Sequence, residues 1–261
     1  MNSKGQINLK YYKCNKNDGN FGDEMSPLLI SKITGREVVN TSNSKEKSII
    51  AIGSYIQKAN NNDIIWGSGV RTVDQPTEYT NLIVKAVRGP ITKKYLENLS
   101  IDVPNIFGDP GLLYPKFFNI SENVEYTNKI GFIPHYTSLE YYENEKLSSN
   151  IKIISPTDNP NIVLSKIKSC KYIISSSLHG LIMADSFNIP NYWLYDRKLN
   201  EGILKFEDYF ASQNRQIKMH NNINNILLSS SEDYGNKINL NALLDSFPKE
   251  LIKNKLNNNI R

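Results

Sequence analysis

Short runs of β-branched residues recur along this chain with helix-patterned segments between them, and that alternation is the rhythm of parallel α/β units. Strands are predicted at Ile7–Tyr12, Ser48–Ile52, Asp63–Trp66, Leu82–Val87 and Asn105–Phe107. Helices fall between them. Over Asp23–Thr34, Met25, Leu28, Leu29 and Ile33 share one helical face and Gly35 follows as a stop. Ile91–Leu99 is opened by Gly89-Pro90, with proline where a first turn tolerates it. The pattern lapses through the polar, aperiodic residues Ser121–Asn128, which marks a boundary between a unit over 1–120 and one over 128–261. A second series then predicts strands at Lys129–Pro134, Ile151–Ile154, Tyr172–Ser175 and Asn191–Tyr195, with helices at Asn161–Ser169 and Leu178–Phe187. One amphipathic helix is expected over Leu240–Leu251, and Asn254–Arg261 is expected to fray. Two successive open α/β sheets imply a cleft between them, lined by the carboxyl ends of the strands.

Composition narrows the function. At 261 residues, with 39% hydrophobic and 10% aromatic residues, the chain has enough apolar side chains for a substantial core. The segment MNSKGQINLKYYKC lacks the apolar stretch of a signal peptide, and no apolar run is long enough to span a bilayer, so a soluble cytoplasmic protein is expected. Cys14 and Cys170 form no CxxC pair and read as plain buried thiols. The net charge of +5 is mild and its basic residues are scattered. That argues against nucleic acid and leaves room for anionic substrates or anionic lipid head groups. No P-loop, HExxH or EF-hand pattern is present, so no metal or nucleotide site is predicted.

Unusual polar residues cluster where strands end. Gly67-Ser68-Gly69 is a tight turn or, less simply, part of a dinucleotide fingerprint whose third glycine is missing. Arg88, closing an apolar strand before Gly89-Pro90, either meets an anion at a helix N-terminus or pairs with an acid such as Glu97 or Asp109. His179 follows Ser175-Ser176-Ser177 at another helix start, with Leu178 before it and Gly180 after it. A helix N-terminus lowers an imidazole pKa, whereas a bound multiply charged anion raises it and turns the ring into a proton donor. The alternative is a histidine that only packs. Asp109 is a turn former or a functional acid, His135 lines the cleft or closes a turn, and His220 reads as surface.

Taken in order, these stretches resemble the polysaccharide pyruvyl transferases, particularly the shorter succinoglycan-type branch. The matching segments are Asn20-Phe21-Gly22-Asp23, Trp66-Gly67-Ser68-Gly69, Val87–Thr92, Gly108–Leu113, Gly131–Tyr136, Ser175–Ser186 with Ile189-Pro190, and Lys205–Tyr209. The resemblance implies two Rossmann-like domains facing a cleft, similar to the GT-B glycosyltransferase fold. It implies phosphoenolpyruvate as the donor substrate, without a cofactor or metal, and transfer of pyruvate as a cyclic ketal onto two hydroxyls of a sugar with release of phosphate. Acceptors would be capsule or exopolysaccharide units, often lipid-linked, which is compatible with peripheral contact with the inner membrane. The family histidine falls on His179 and the family arginine on Arg88. Ser177 stands where some members carry arginine, so Lys205, another basic residue or backbone N–H groups must compensate. On chemical grounds His179 is the expected general acid, Asp23 the base and Asn20 the residue that orients the acceptor. Ser68, Asp109, His135, Ser175, Ser176, Ser177, Leu178, Gly180 and Lys205 are expected around the substrates. A nucleotide-sugar glycosyltransferase or a non-catalytic scaffold of polysaccharide assembly is the rival reading.

Overall fold

Each half of the chain closes its apolar runs into a separate parallel sheet. The computed structural model describes residues 5–13, 19–74, 77, 79–196, 202–227 and 234–251. Cys14 and the segment Asn254–Arg261 lie outside them. The first half runs β1 (Ile7–Lys10), α1 (Phe21–Thr34), β2 (Val38–Asn40), β3 (Ile49–Ile50), β4 (Ile64–Trp66), β5 (Ile83–Ala86), α2 (Pro90–Asn98) and α3 (Tyr114–Phe117). The second half runs β6 (Ile130–Ile133), α4 (Leu139–Glu143), β7 (Ile151–Ile153), α5 (Pro160–Ser169), β8 (Tyr172–Ser175), α6 (Leu178–Ser186), β9 (Asn191–Leu194), α7 (Leu204–Ser212) and β10 (Met219–His220). It ends in the short helices α8 (Ile223–Leu227) and α9 (Leu240–Asp245).

The sheet orders are β2-β1-β3-β4-β5 and β10-β9-β8-β6-β7, with every pairing parallel. Numbered within its own half, each sheet has the order 2-1-3-4-5. The chain therefore builds one doubly wound topology twice. The strand order reverses between β1 and β3 in one sheet and between β6 and β8 in the other, which is where such sheets open a crevice.

A layer of helices lies between the sheets. Helix α1 packs on α3 and α5, and α6 packs on the 3-10 turn Pro110–Leu113. Buried Met25, Leu29, Leu112, Leu181, Ile182 and Val163 belong to one core drawn from both halves. Helix α1 forms where it does because Asn20, in extended conformation, accepts from the Gly22 N–H, and Gly35 takes the left-handed conformation (φ 65°) at the other end. The C-terminal segment returns to the first sheet: Trp66 Nε1 donates to the Leu243 carbonyl at 3.0 Å, and its ring meets Phe247 edge-on. Among the described residues no helix is long and apolar enough to cross a membrane.

Several expectations are corrected. Asn105–Phe107 is not a strand; only an isolated bridge joins Val87 to Phe107. β2 and β10 were not expected; both are short strands at the outer edges of their sheets. The predicted helix over Leu240–Leu251 stops at Asp245 and resumes as a 3-10 turn at Lys249–Leu251, because Pro248 cannot continue it. His220 is buried rather than on the surface, since β10 pairs with β9 and its ring meets that of Tyr192. Cys170 is buried as expected, and burial raises its thiol pKa to about 12.

Candidate active site

The two crossover points face each other across a cavity of about 200 Å³. That is smaller than the roughly 300–1,000 Å³ of sites that take drug-sized ligands. The first half contributes Asn20 and Asp23 from the start of α1, the loop Ile52–Tyr55 after β3, Tyr12 and Arg71. The second half contributes His135 and Tyr136 after β6, Ser177, Leu178 and His179 at the start of α6, and Lys205 on α7.

His179 sits in the first turn of α6 and is 8% exposed. Its ring lies against Gly22 of α1, where a Cβ would come closer than 3.0 Å to three of its atoms. Phe21 meets the same ring edge-on. The imidazole Nε2 is buried and has no hydrogen-bond partner among the described residues. Burial first, then the charges of Lys205 and Arg88, push the His179 pKa down to about 3, so the ring is neutral near pH 7. A buried polar atom left unpaired costs roughly 1–3 kcal/mol.

The serines beside it divide their labour. Ser175 is fully buried; its Oγ donates to backbone carbonyl oxygens (Ile133 at 2.9 Å, Ser177 at 2.8 Å) and accepts from the Ser177 N–H at 3.0 Å. Gly180 leaves the room for that hydroxyl. Ser176 Oγ accepts from the His135 N–H at 2.9 Å. Ser177 alone of the three lines the cavity, and its side chain makes no cap bond to α6. His135 is both a wall of the cavity and a turn residue, with Nδ1 2.8 Å from Thr137 Oγ1.

The opposite wall is a loop held from behind. Gly53, at φ 97°, turns the chain out of β3. Its N–H donates to Asp109 Oδ2 at 3.3 Å, and its carbonyl accepts from Ser68 Oγ at 2.9 Å and the Gly69 N–H at 3.0 Å. The Tyr55 N–H donates to Ser68 Oγ at 3.3 Å. Ser68, Asp109 and Arg88, all expected to meet substrate, are fully buried and do not line the cavity. Burial raises the Asp109 carboxyl to about 6, against the lowering effect of the Gly111 N–H, Arg88 and the Gly53 N–H.

Arg88 pairs with neither Glu97 nor Asp109. Its Nε donates to Asp208 Oδ2 at 3.1 Å, Nη2 to the Val70 carbonyl at 2.9 Å, and Nη1 to Ser54 Oγ. Asp208 comes from α7 and also accepts the N–H groups of Ile91 and Thr92 at 2.9 Å, capping α2 from the other half of the chain. The guanidinium is thus removed from the cleft by a partner 120 residues away, which no local pattern announces.

The structure brings Asn20, Asp23, His135, Ser177, Leu178, His179 and Lys205 to one cavity. Gly180, Ser175 and Ser176 stand behind its second-half wall. Reasoning from sequence missed the loop Ile52–Tyr55, Tyr12, Arg71 and Tyr136. One signal was available: Gly53-Ser54 directly follows an apolar strand, the same strand-end position that singled out the others.

Two doubly wound sheets, with a neutral histidine and helix starts meeting at their facing crossovers, define an α/β protein with a cavity lined by both halves of the chain. The family model for polysaccharide pyruvyl transferases matches residues 3–196, and the chain belongs to that family. It is 30% identical over 256 residues to the uncharacterized protein L143 of Acanthamoeba polyphaga mimivirus, covering 91% of this chain and 88% of that one. It is 24% identical over 200 residues to the succinoglycan biosynthesis protein ExoV of Rhizobium meliloti (strain 1021). That match covers 70% of this chain and 58% of ExoV. A crystal structure of the functionally uncharacterized protein KP1_0663 from Klebsiella pneumoniae aligns over 79% of this chain and 88% of that one, with 15% identity and a TM-score of 0.43. Membership makes the chain a transferase of the pyruvyl type associated with polysaccharide biosynthesis.

Proposed function

We propose that the protein transfers the pyruvyl group of phosphoenolpyruvate to two hydroxyls of a saccharide as a cyclic ketal, releasing phosphate. The observation that carries this reading is the buried, unpartnered Nε2 of His179 at the start of α6, with Ser177 and Lys205 on the same cavity. The donor carries close to three negative charges, and hydrogen-bond donors at a helix N-terminus beside a lysine are what such a group needs.

The same burial that keeps His179 neutral assigns its role. In the open site the imidazolium is disfavoured; an anion seated against Nε2 reverses the balance and the ring takes up a proton. It then protonates C3 of the donor enol, leaving an oxocarbenium-like C2. One sugar hydroxyl bonds to C2 and gives its proton to Asp23. The C2–O bond to phosphate breaks, phosphate leaves with a proton, and the second hydroxyl closes the ring. Of the two protons lost by the hydroxyls, one balances that gained by C3 and one leaves on phosphate. Asn20, at the cavity edge beside Asp23, is the residue that orients the acceptor.

A two-lobed arrangement of the GT-B kind, divided between residues 120 and 128, belongs to the same reading. So do a capsule or exopolysaccharide acceptor, lipid-linked or free, and action at the cytoplasmic face of the membrane. The test is incubation with phosphoenolpyruvate and candidate saccharides, followed by phosphate release and mass spectrometry of the acceptor. A pyruvyl ketal on the sugar, lost in His179→Ala, is the expected result. Turnover of a nucleotide sugar with phosphoenolpyruvate untouched overturns the reading.

A further inference from the structure

A fully buried guanidinium with all its arms committed cannot grip a ligand, yet Arg88 ends on a side chain that can. Ser54 is half-buried and lines the cavity, and its Oγ receives the Nη1 hydrogen of Arg88. Arginine has donors and no acceptor, so the hydroxyl oxygen must use a lone pair there, and its own hydrogen has to be given elsewhere. Among the described residues nothing accepts it. The flanking backbone cannot turn to supply an acceptor, because Asp109 and Ser68 hold the Gly53 and Tyr55 N–H groups and the Gly53 carbonyl.

We propose that Ser54 is a donor-binding residue whose Oγ–H, polarised by Arg88 behind it, hydrogen-bonds an anionic oxygen of phosphoenolpyruvate. Arg88 is then a positioning residue: it delivers its charge to the site through a hydroxyl instead of by direct contact. Its field already reaches the cavity, being among the charges that keep His179 neutral. Asp208 fixes the guanidinium plane from α7, one helical turn beyond Lys205, so the two cations are set by the same helix. A hydroxyl that accepts from a cation is a stronger donor in turn, because hydrogen bonds in a chain polarise one another.

This inference rests on the function proposed above, and the experiment separates the two. Phosphoenolpyruvate is titrated calorimetrically into the wild-type protein and into Ser54→Ala and Ser54→Thr, with steady-state kinetics alongside. Loss of a hydrogen bond to a charged group predicts at least tenfold weaker binding in Ser54→Ala, with KM raised more than kcat is lowered. Ser54→Thr, which keeps the hydroxyl, should stay within about threefold of wild type. Equal affinity in wild type and Ser54→Ala, or equal loss in both variants, overturns the role of Ser54 and leaves the proposed reaction standing. A wild-type protein that binds no phosphoenolpyruvate overturns both.

Discussion

Replacing Gly22 by alanine should destabilise this protein when His179 is present and stabilise it when His179 is gone. Gly22 lies in the first turn of α1, where alanine improves helix propensity by about 0.5 kcal/mol. A Cβ there would fall closer than 3.0 Å to Nδ1, Cγ and Cβ of His179, and the ring is bounded on another side by Phe21. Forcing a methyl into a packed site costs roughly 1–3 kcal/mol, so the net effect of Gly22→Ala alone is a loss of about 0.5–2.5 kcal/mol. In His179→Ala the ring is absent, the new methyl fills part of the void, and the same substitution returns the propensity gain. The coupling between the two positions is therefore at least about 1 kcal/mol and of the sign that marks direct contact. Urea unfolding of the four proteins measures it; as a thermal shift it corresponds to roughly 2–4 °C per kcal/mol for a chain of this size. Gly22→Ala stabilising both backgrounds equally would show that the histidine does not rest on α1. The placement of the His179 ring between the two halves would fall with it.

Further outcomes follow from the same structure. Breaking the buried Arg88–Asp208 pair with Asp208→Ala leaves a buried guanidinium uncompensated and uncaps α2, costing about 3–5 kcal/mol by denaturant unfolding. Glu97→Ala, which removes the half-exposed Lys93–Glu97 pair, should cost no more than about 0.5 kcal/mol. Calorimetry of phosphoenolpyruvate binding near pH 7.5, in buffers of different ionisation enthalpy, should report proton uptake that disappears in His179→Ala, because the ring, neutral in the protein alone, is charged by the bound anion in the proposed mechanism. The pH dependence of stability carries two opposing contributions. With a folded pKa near 3 against an ordinary 6.5, His179 binds fewer protons folded than unfolded, so its contribution is complete above pH 6.5 and declines as pH falls toward 3. Asp109, raised from 3.8 to about 6, binds more protons folded, so its contribution is present at low pH and lost as pH rises through that window. Relative to wild type, His179→Ala should tilt stability downward with rising pH between about 4 and 6, and Asp109→Asn should tilt it upward.

The sequence made visible what local chemistry determines. Alternating β-branched and helical runs gave both sheets, and the small polar residues around His179 marked a strand end and a helix start whose geometry follows from neighbours in sequence. β2 escaped because three half-buried residues at a sheet edge carry little hydrophobic pattern. Arg88, Ser68 and Asp109 were placed at the correct edge of the sheet but facing the wrong way. A polar residue at a strand end reads alike whether it enters the cleft or turns back to hold a loop. What decided the matter lay far off in the chain: Asp208 for Arg88, and Gly53 for Asp109, 56 residues distant. Ser54 was overlooked for the converse reason, since an ordinary serine gains its significance only from the cation behind it.

The cavity lining sets a single carboxylate among several hydrogen-bond donors. His179, Ser177, Lys205, Arg71 and Ser54 supply donors to the cavity lining, and Asp23, at the start of α1, is the one carboxylate among the described lining residues. An anionic donor is attracted to the first group and repelled by the second, whereas hydroxyls that must lose protons need the second. A methyl placed on Gly53 would touch both, lying 3.7 Å from Asp23 Oδ1 and 3.8 Å from His179 Cε1. The space over Gly53 is thus a point from which a reacting carbon could meet the proposed acid and base together. It is also the point that the buried layer of Asp109, Ser68 and Arg88 is arranged to hold still. Within the proposed reaction, the residues that do not touch the cavity fix where C2 of the donor must lie, and those that do touch it decide which way each proton moves.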